Sequence, residues 1–224
     1  MPADEGVSEK IVVVIAGGEA PRPEAALAVP PGADVIVADG GIDHARALGL
    51  DVAVAVGDFD SASEEAVAAA QAAGVRVVRH PAAKDATDLE LALDLAVSSG
   101  ASRILVLAGD RGRLDHLLAG LLLLGSGEYA RVEIDARVGA ARVHVVRGRR
   151  TLQGEPGELV SLLALHGEAS GVATAGLAYE LRGETLGPGS SRGVSNVLTG
   201  AEAIVSIERG TLLAVFPGAE EELT

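Results

Sequence analysis

Paired aspartates follow short apolar runs in this 224-residue chain, and the sharpest pair is Asp58 and Asp60 in Gly-Asp-Phe-Asp-Ser. Two like charges about 4 Å apart repel by ~1 kcal/mol in water and ~4 kcal/mol at the effective dielectric of a protein surface. Carboxylates gathered this closely need a counter-charge, and a hard divalent cation with oxygen ligands supplies one. Because Mg²⁺ usually binds one or two carboxylates together with substrate phosphates, the pattern indicates phosphate chemistry.

Three further motifs place charged side chains where an apolar run ends. They are Ala38-Asp39-Gly40-Gly41, Lys84-Asp85-Ala86-Thr87-Asp88 and Arg113-Leu114-Asp115-His116. Lys84 could offset the charge of a phosphate, and Arg113 could bind a phosphate through two hydrogen bonds. These are the residue types that a site for an anionic, metal-bound substrate needs.

Each motif, taken alone, also has a structural interpretation. Gly-Asp-x-Asp-Ser is common in turns, and Ser61 with Glu64 could form a capping box at a helix start. Thr87 with Glu90 forms the same Thr-x-x-Glu pattern. His116 by itself is more typical of a hydrogen-bonded structural histidine than of a base. The motifs therefore indicate a functional site only if the secondary-structure elements place them close together.

Five apolar runs without polar alternation favour strands that are covered on both faces. They are Ile11–Ile15, Val35–Ala38, Val52–Val56, Val75–Arg79 and Ile104–Leu107. Between them lie segments with helical spacing of apolar residues, each followed by a glycine that could end a helix. The segments are Ile42–Leu48, Ser63–Ala73 and Leu89–Val97, and the glycines are Gly49, Gly74 and Gly100.

This alternation predicts an α/β fold: a doubly wound, mainly parallel sheet with helices on both faces. Ligands bind outside the carboxyl ends of the strands in such a sheet, which is where the acidic motifs fall. After residue 138 the pattern changes to short apolar runs separated by Gly-rich turns, typical of an all-β sandwich or partial barrel. These runs are Arg142–Val146, Leu159–Leu163, Val194–Leu198, Ala203–Ile207 and Leu212–Phe216. We therefore expect two domains, residues 1–138 and residues 139–224.

The composition narrows the class of protein. The net charge of −14 argues against non-specific binding to nucleic acid or to an anionic membrane. The absence of cysteine excludes disulfides and thiolate metal sites. The acidic N-terminus has the wrong polarity for a secretory signal, and the apolar stretch Leu117–Leu124 is far shorter than the ~20 residues that span a bilayer. We expect a cytoplasmic location.

Together, these motifs and their order resemble the thiamine pyrophosphokinase (thiamine diphosphokinase) family. Two segments of the C-terminal part join the resemblance, Gly176-Leu177-Ala178-Tyr179 and Ser195-Asn196. From residues alone, Tyr179 would be a strand residue and Ser195-Asn196 a turn. The resemblance implies an N-terminal α/β catalytic domain, a C-terminal β-sandwich domain that binds thiamine, and a homodimer with active sites at the subunit interface.

The resemblance also implies the reaction, in which thiamine and ATP give thiamine diphosphate and AMP with Mg²⁺ as cofactor. By the family's pattern the metal ligands would be Asp58, Asp60 and Asp88, and these three with Asp115 would be the catalytic residues. ATP would be bound by Asp39, Gly40, Lys84, Asp85, Arg113 and His116. Thiamine would be bound by Thr87, Tyr179, Ser195 and Asn196, with Tyr179 packing near its ring.

Three other functions remain open at this point. The first is a Mg²⁺-dependent pyrophosphokinase for another alcohol, such as a pterin, although the cationic thiazolium of thiamine suits an acidic pocket with an aromatic face better. The second is a phosphohydrolase, since Asp-x-Asp pairs also serve as nucleophile and acid. The third is a sensor that binds thiamine or a nucleotide without turnover. Either Asp88 or Asp115 could accept the proton of the attacking hydroxyl.

Overall fold

The computed structural model describes residues 9–218 of the chain. By their spatial contacts, these residues form two compact units. The first consists of the residues up to 109 together with 131–133, and the second of 110–130 together with the residues from 134 onward. The domain boundary expected from the change in apolar pattern, between residues 138 and 139, stays a prediction.

The first unit contains a parallel sheet in the strand order β4-β3-β2-β1-β5. Its strands are β1 (Ile11–Ile15), β2 (Asp34–Ala38), β3 (Val54–Gly57), β4 (Arg76–Arg79) and β5 (Arg103–Ala108). Its helices are α1 (Gly41–Ala47), α2 (Glu64–Ala72) and α3 (Asp88–Ser98). All eight elements lie within two residues of the bounds that the sequence predicts.

Helices cover both faces of this sheet, as predicted. Successive strand residues point to opposite faces. Val13 and Ile15 lie in one buried cluster with Ile42 of α1 and Val67 of α2. The alternating residues of β1 are equally buried, and α3 contacts β1, β2 and β3. Burial on both faces is why these strands read as unbroken apolar runs.

Most helix ends follow the predicted chemistry. Gly49, Gly74 and Gly100 each follow a helix with a positive φ, the conformation in which glycine ends helices. Thr87 caps α3 by accepting a hydrogen bond from the Glu90 N–H at 3.2 Å. The capping box predicted for Ser61 and Glu64 is wrong: Ser63 caps α2, since its hydroxyl accepts the Ala66 N–H.

The second unit contains an antiparallel sheet system in the strand order β6-β7-β13-β9-β12-β8, with β10 and β11 also paired to β9. The helix is α4 (Leu114–Leu124). The strands are β6 (Glu133–Val138), β7 (Ala141–Val146), β8 (Arg149–Gln153), β9 (Leu159–Ala175), β10 (Arg182–Leu186), β11 (Asn196–Val197), β12 (Glu202–Ser206) and β13 (Arg209–Phe216). A single buried cluster joins side chains from most of these strands.

The sequence locates this unit's strands less accurately. The run Leu159–Leu163 predicts a short strand, whereas β9 continues for 17 residues to Ala175. The middle of β9 contains polar residues and glycines, which are typical of a turn, but the strand continues there. Its pairing with β13 shifts register in this region, and the end of β9 pairs with β12. The run Val194–Leu198 is a strand only at Asn196–Val197. β6, β8 and β10 are missed because charged residues interrupt their apolar pattern.

Helix α4 is rich in leucine but largely exposed. Leu114, Leu118 and Leu122, one helical turn apart, have 67%, 51% and 47% of their surface exposed. The carboxyl end of the helix is fixed by two side chains: Arg147 donates to the Leu124 carbonyl at 3.1 Å, and His166 bonds the Leu122 carbonyl at 2.8 Å. Across residues 9–218, no helix combines the length and the hydropathy that a membrane span requires.

Candidate active site

The loops that follow neighbouring strands of the first unit gather three carboxylates. Asp39 follows β2, and Asp58 and Asp60 follow β3, which pairs with β2 in parallel. One carboxylate oxygen of each lies within 4.8 Å of the other two. This follows from the parallel sheet, in which the carboxyl ends of adjacent strands share an edge. The three side chains can therefore act on one ligand.

Asp39 has the geometry of a functional residue. It is buried, with 6% of its surface exposed, and its φ of 45° lies in a region that residues other than glycine seldom occupy. The Ser61 hydroxyl donates a hydrogen bond to Oδ2. Oδ1 is buried and has no hydrogen-bond partner within residues 9–218. A buried carboxylate oxygen without a partner carries a desolvation cost that a bound cation would remove.

Gly57 makes the close approach of these groups possible. Its φ is 151°, and a Cβ at this position would lie 3.1 Å from the Cβ of Asp39 and 3.1 Å from Oδ1 of Asp88. Both contacts are tighter than a side chain normally tolerates. Glycine at the end of β3 therefore brings Asp88, the first residue of α3, to the site beside Asp39.

Lys84 is the cation of this cluster. Its Nζ lies 3.0 Å from Oδ2 of Asp58 and 2.8 Å from Oδ1 of Asp88. Burial lowers the pKa of Lys84, but the hydrogen bonds to Asp88 and Asp58 outweigh that effect and raise it. The hydrogen bond from Lys84, followed by the one from the Asp60 N–H, lowers the pKa of Asp58. Lys84 is therefore charged at neutral pH and neutralises part of the cluster.

Asp60 shows that negative charge is still in excess. Its carboxylate is exposed, and its pKa is raised chiefly by the charge of Asp58 and then by that of Asp39. Oxygen donors, excess negative charge and the unpartnered Oδ1 of Asp39 together fit a hard divalent cation such as Mg²⁺. The sequence-based ligand set contains Asp88 rather than Asp39, whereas the structure groups Asp39 with Asp58 and Asp60.

Other predicted residues of the first unit border this cluster along the chain. Gly40 is the N-cap of α1, and a Cβ there would lie 3.2 Å from the Ser61 hydroxyl oxygen. Asp85 is exposed in the loop before α3. Thr87, predicted to bind thiamine, uses its hydroxyl to cap α3. Ser61 was not predicted as a site residue. Its sequence context does not show whether the hydroxyl caps a helix or bonds Asp39.

Arg113, Asp115 and His116 lie at the start of α4 in the second unit, and all three are exposed. Arg113 donates two hydrogen bonds to Asp115, at 3.2 and 2.6 Å. This pairing lowers the pKa of Asp115 to about 2. Arg113 is the N-cap residue of α4, and its side chain makes no capping hydrogen bond.

The residues predicted to bind thiamine in the second unit lie together. Tyr179 lies in an exposed bend rather than in a strand, which corrects the interpretation from residue type. Ser195 lies in an exposed turn with a φ of 57°. Asn196 is buried, and its side chain bonds the N–H of Tyr179 at 3.0 Å and its carbonyl at 2.8 Å. Ser161, which the sequence did not suggest, accepts the Ser195 N–H at 3.1 Å.

Solved structures show the same fold at low sequence identity. The crystal structure of thiamine pyrophosphokinase from Bacillus subtilis matches with a TM-score of 0.81 and 24% identity, covering 94% of this chain and 100% of that one. Thiamin pyrophosphokinase from Geobacillus thermodenitrificans gives 0.78 and 26%, covering 96% and 100%. The yeast enzyme gives 0.72 at 14% identity, covering 93% and 86%. The predicted α/β fold with a C-terminal β-sandwich domain is confirmed.

Sequence comparisons agree with these structures. Thiamine pyrophosphokinase of Bacillus subtilis is 26% identical over 183 residues, 78% of this chain and 85% of that protein. Residues 33–134 match the family model "Thiamin pyrophosphokinase, catalytic domain". Residues 143–212 match the family model "Thiamin pyrophosphokinase, vitamin B1 binding domain". Because the two models together match more than half of the chain, it belongs to the thiamine pyrophosphokinase family.

Proposed function

We propose that the protein transfers the terminal pyrophosphoryl group of ATP to the hydroxyl of thiamine, giving thiamine diphosphate and AMP in a Mg²⁺-dependent reaction. The observation that carries this proposal is the cluster of Asp39, Asp58, Asp60 and Lys84 inside the region that matches the catalytic-domain model. The match of residues 143–212 to the vitamin B1 binding model supports thiamine as the acceptor.

Asp58 and Asp60 would hold Mg²⁺, as the sequence predicts, with Oδ1 of Asp39 as a further ligand. Asp88 is also a predicted ligand, and its Oδ1 lies 2.8 Å from Nζ of Lys84. Its carboxylate would interact with both the lysine and the metal. Bound Mg²⁺ would neutralise the phosphate oxygens of ATP. Lys84 reduces the charge of Asp58 and Asp88, so that a polyphosphate can approach an otherwise strongly negative site.

In the reaction, the thiamine hydroxyl oxygen bonds to the β-phosphorus of ATP as the bond between that phosphorus and the bridging oxygen to the α-phosphate breaks. AMP leaves with the bridging oxygen, and the hydroxyl proton passes to a carboxylate. Catalysis is mainly positioning and charge neutralisation. Arg113 makes Asp115 a weak base by lowering its pKa to about 2. Asp88 and Asp115 both stay candidates for the proton acceptor, since Asp115 loses this partner when Arg113 turns to the phosphates of ATP.

The remaining ligand contacts stay predictions. Arg113 has the fork geometry that binds phosphate bidentately, and its present partner Asp115 is exposed and replaceable by ATP. Lys84 and Asp39 are the phosphate contacts predicted in the first unit. Asp85 and His116, also predicted to bind ATP, are both exposed. A cytoplasmic location, with neither nucleic acid nor membrane as partner, likewise stays an expectation.

We also propose that two chains associate along α4 into the homodimer that the family resemblance implies. The stripe of Leu114, Leu118 and Leu122 exposes large apolar side chains at a spacing that a second helix can cover. Monomeric proteins seldom leave such contiguous apolar surface in water. The two side chains that fix the carboxyl end of α4 hold this stripe in place.

A comparison of acceptors tests the activity against its alternatives. AMP release from ATP and Mg²⁺ is measured with thiamine, with a pterin alcohol and without any acceptor. Release that requires thiamine supports the proposal. Release with the pterin alone would assign the enzyme to another pyrophosphokinase class, and phosphate release without an acceptor would indicate a phosphohydrolase. Thiamine binding without release of AMP would indicate a sensor.

A further inference from the structure

Two buried polar side chains hold the short loop around Tyr179. Within residues 9–218, the polar or charged residues that are almost fully buried are Asp39, Asp135, Thr174 and Asn196. The Thr174 hydroxyl accepts the N–H of Leu181 at 2.8 Å, and Asn196 binds Tyr179 two residues earlier. Burying a polar side chain costs free energy unless its hydrogen bonds are made. Both are made to this loop, so its position is strongly specified.

Most of the hydrogen-bonding capacity of the Asn196 side-chain amide is taken up by backbone groups. Its Oδ1 accepts from the Tyr179 N–H at 3.0 Å and from the Val197 N–H at 2.9 Å. Its Nδ2 donates to the Tyr179 carbonyl at 2.8 Å. A primary amide offers two donor hydrogens and one acceptor oxygen with two lone pairs. Three of these four possibilities are taken, and the side chain is buried, so little remains for a substrate.

The Asn196 amide bonds Tyr179 just beyond the last main-chain bonds between two neighbouring segments. Residues 176–178 pair with residues 197–199 as antiparallel neighbours, with N–H···O distances of 2.8 and 3.0 Å. These two bonds flank the pair Leu177–Leu198, so the pair of Tyr179 with Asn196, two positions on, is one that a regular ladder leaves without main-chain bonds. The Asn196 side chain supplies hydrogen bonds at this position by bonding both the N–H and the carbonyl of Tyr179.

The turn before Asn196 is fixed from the other side. Ser195 adopts a φ of 57°, and its N–H donates to the Ser161 hydroxyl of β9 at 3.1 Å. A Cβ on Gly193 would lie 2.3 Å from the Leu162 carbonyl oxygen, so the turn runs directly over β9. Ser195 itself is exposed. Its backbone conformation is thus determined by the strand beneath it.

We propose that Asn196 and Ser161 are positioning residues for thiamine: Asn196 fixes the loop that presents the Tyr179 ring, and Ser161 fixes the turn that presents Ser195. The identity of the ligand rests on the proposed function, whereas the two fixing contacts do not. Asn196 then acts through Tyr179 and not as a direct contact of the substrate.

The contact to Tyr179 can be tested without any ligand. The chain has two tyrosines and no tryptophan, so a Tyr129→Phe background leaves Tyr179 as the only fluorophore. Asn196→Asp keeps the side-chain size but places an oxygen opposite the Tyr179 carbonyl. We expect a loss of Tyr179 fluorescence anisotropy in this variant. Ser206→Ala, which removes another side-chain bond of the same unit, at 3.3 Å, is the control and should leave the anisotropy unchanged.

Kinetics then separates positioning from direct contact. Asn196→Asp should raise the KM for thiamine about tenfold, equivalent to about 1.4 kcal/mol, and leave the KM for ATP unchanged. Tyr179→Ala should raise the same KM, and the double variant should be no worse than Tyr179→Ala alone, because the two residues act as one unit. Ser161→Ala should raise the KM for thiamine independently, which keeps the proposal testable if Asn196→Asp folds poorly.

Two results would overturn the inference. Unchanged anisotropy with additive KM effects would make Asn196 a direct contact of thiamine. Unchanged anisotropy with unchanged KM values would make its bonds to Tyr179 irrelevant to the site. If the wild-type protein does not turn over thiamine, the proposed function fails, but the anisotropy result still decides whether Asn196 holds the loop.

Discussion

Lys84 Nζ lies 3.0 Å from Oδ2 of Asp58, and the two side chains are only 13% and 16% exposed. This ion pair joins the loop after β3 to the loop before α3. It therefore holds together two segments that carry different carboxylates of the proposed metal site. Its removal has consequences for both stability and catalysis.

We expect Lys84→Met to lower the free energy of unfolding by about 1–3 kcal/mol, since it leaves two mostly buried carboxylates without their partner. Because Lys84 depresses the pKa of Asp58 in the folded state, its contribution is present above the ordinary aspartate pKa of about 3.9. The contribution is lost as the pH falls through the lower folded-state pKa. Chemical denaturation at pH 7 and near pH 3 measures both effects.

Lys10→Met is the matched control for this substitution. Lys10 also forms an ion pair, 3.1 Å from Asp34, but those side chains are 37% and 55% exposed. An exposed pair of this kind contributes about 0–1 kcal/mol. A loss of stability as large for Lys10→Met as for Lys84→Met would contradict the special role of the Lys84 pair.

Asp60→Asn should abolish Mg²⁺-dependent turnover while leaving the metal-free Tm unchanged or raised. The pKa of Asp60 is raised by Asp58 and Asp39, so its ionised form destabilises the folded state at neutral pH. The gain in Tm should disappear as the pH falls well below the ordinary aspartate pKa of about 3.9, where the carboxyl becomes protonated in both the folded and the unfolded state. Thermal denaturation with and without MgCl₂ checks this, because Mg²⁺ should raise the Tm of the wild-type protein and not of the variant.

Asp51→Asn is the control for Asp60→Asn, since it removes the same charge from an exposed position. It should keep both turnover and the Mg²⁺-dependent rise in Tm. Failure of Asp60→Asn to fold would instead give Asp60 a structural role.

Gly57→Ala should abolish turnover and cost about 1–3 kcal/mol of stability, because it adds a strained φ and a Cβ 3.1 Å from both Asp39 and Asp88. Gly49→Ala separates these effects. Gly49 also has a positive φ, of 68°, but nothing lies within 4 Å of its Cβ position. It should lose stability but keep its activity and its Mg²⁺ response. Full activity in Gly57→Ala would show that the close approach of Asp39 and Asp88 is not needed.

Leu118→Glu should convert a dimer into a monomer and reduce turnover, since it places a charge in the middle of the leucine stripe of α4. Leu27→Glu changes another exposed leucine, 88% exposed and outside this helix, and should leave the dimer intact. Sedimentation velocity at several protein concentrations distinguishes these outcomes. A monomeric wild-type protein, or a dimeric Leu118→Glu variant, would exclude α4 as the interface.

The sequence predicts the first unit better than the second for a physical reason. Strands covered on both faces, such as β1, are unbroken apolar runs, and the acidic motifs at their ends place Asp58 near Asp39 once the sheet is parallel. The long strand β9 has an apolar run only at its start, and the half-exposed β8 has none. Propensity also cannot show that Asn196 bonds Tyr179 across 17 residues, since that contact depends on tertiary structure.

The most direct test of the central claim is ³¹P NMR of the protein with ATP and thiamine, recorded with and without Mg²⁺. The proposal predicts thiamine diphosphate and AMP in equal amounts, only with the metal, because the bond to the β-phosphorus is the one exchanged. ADP or free phosphate as the product, or unchanged ATP in the presence of Mg²⁺, would contradict it.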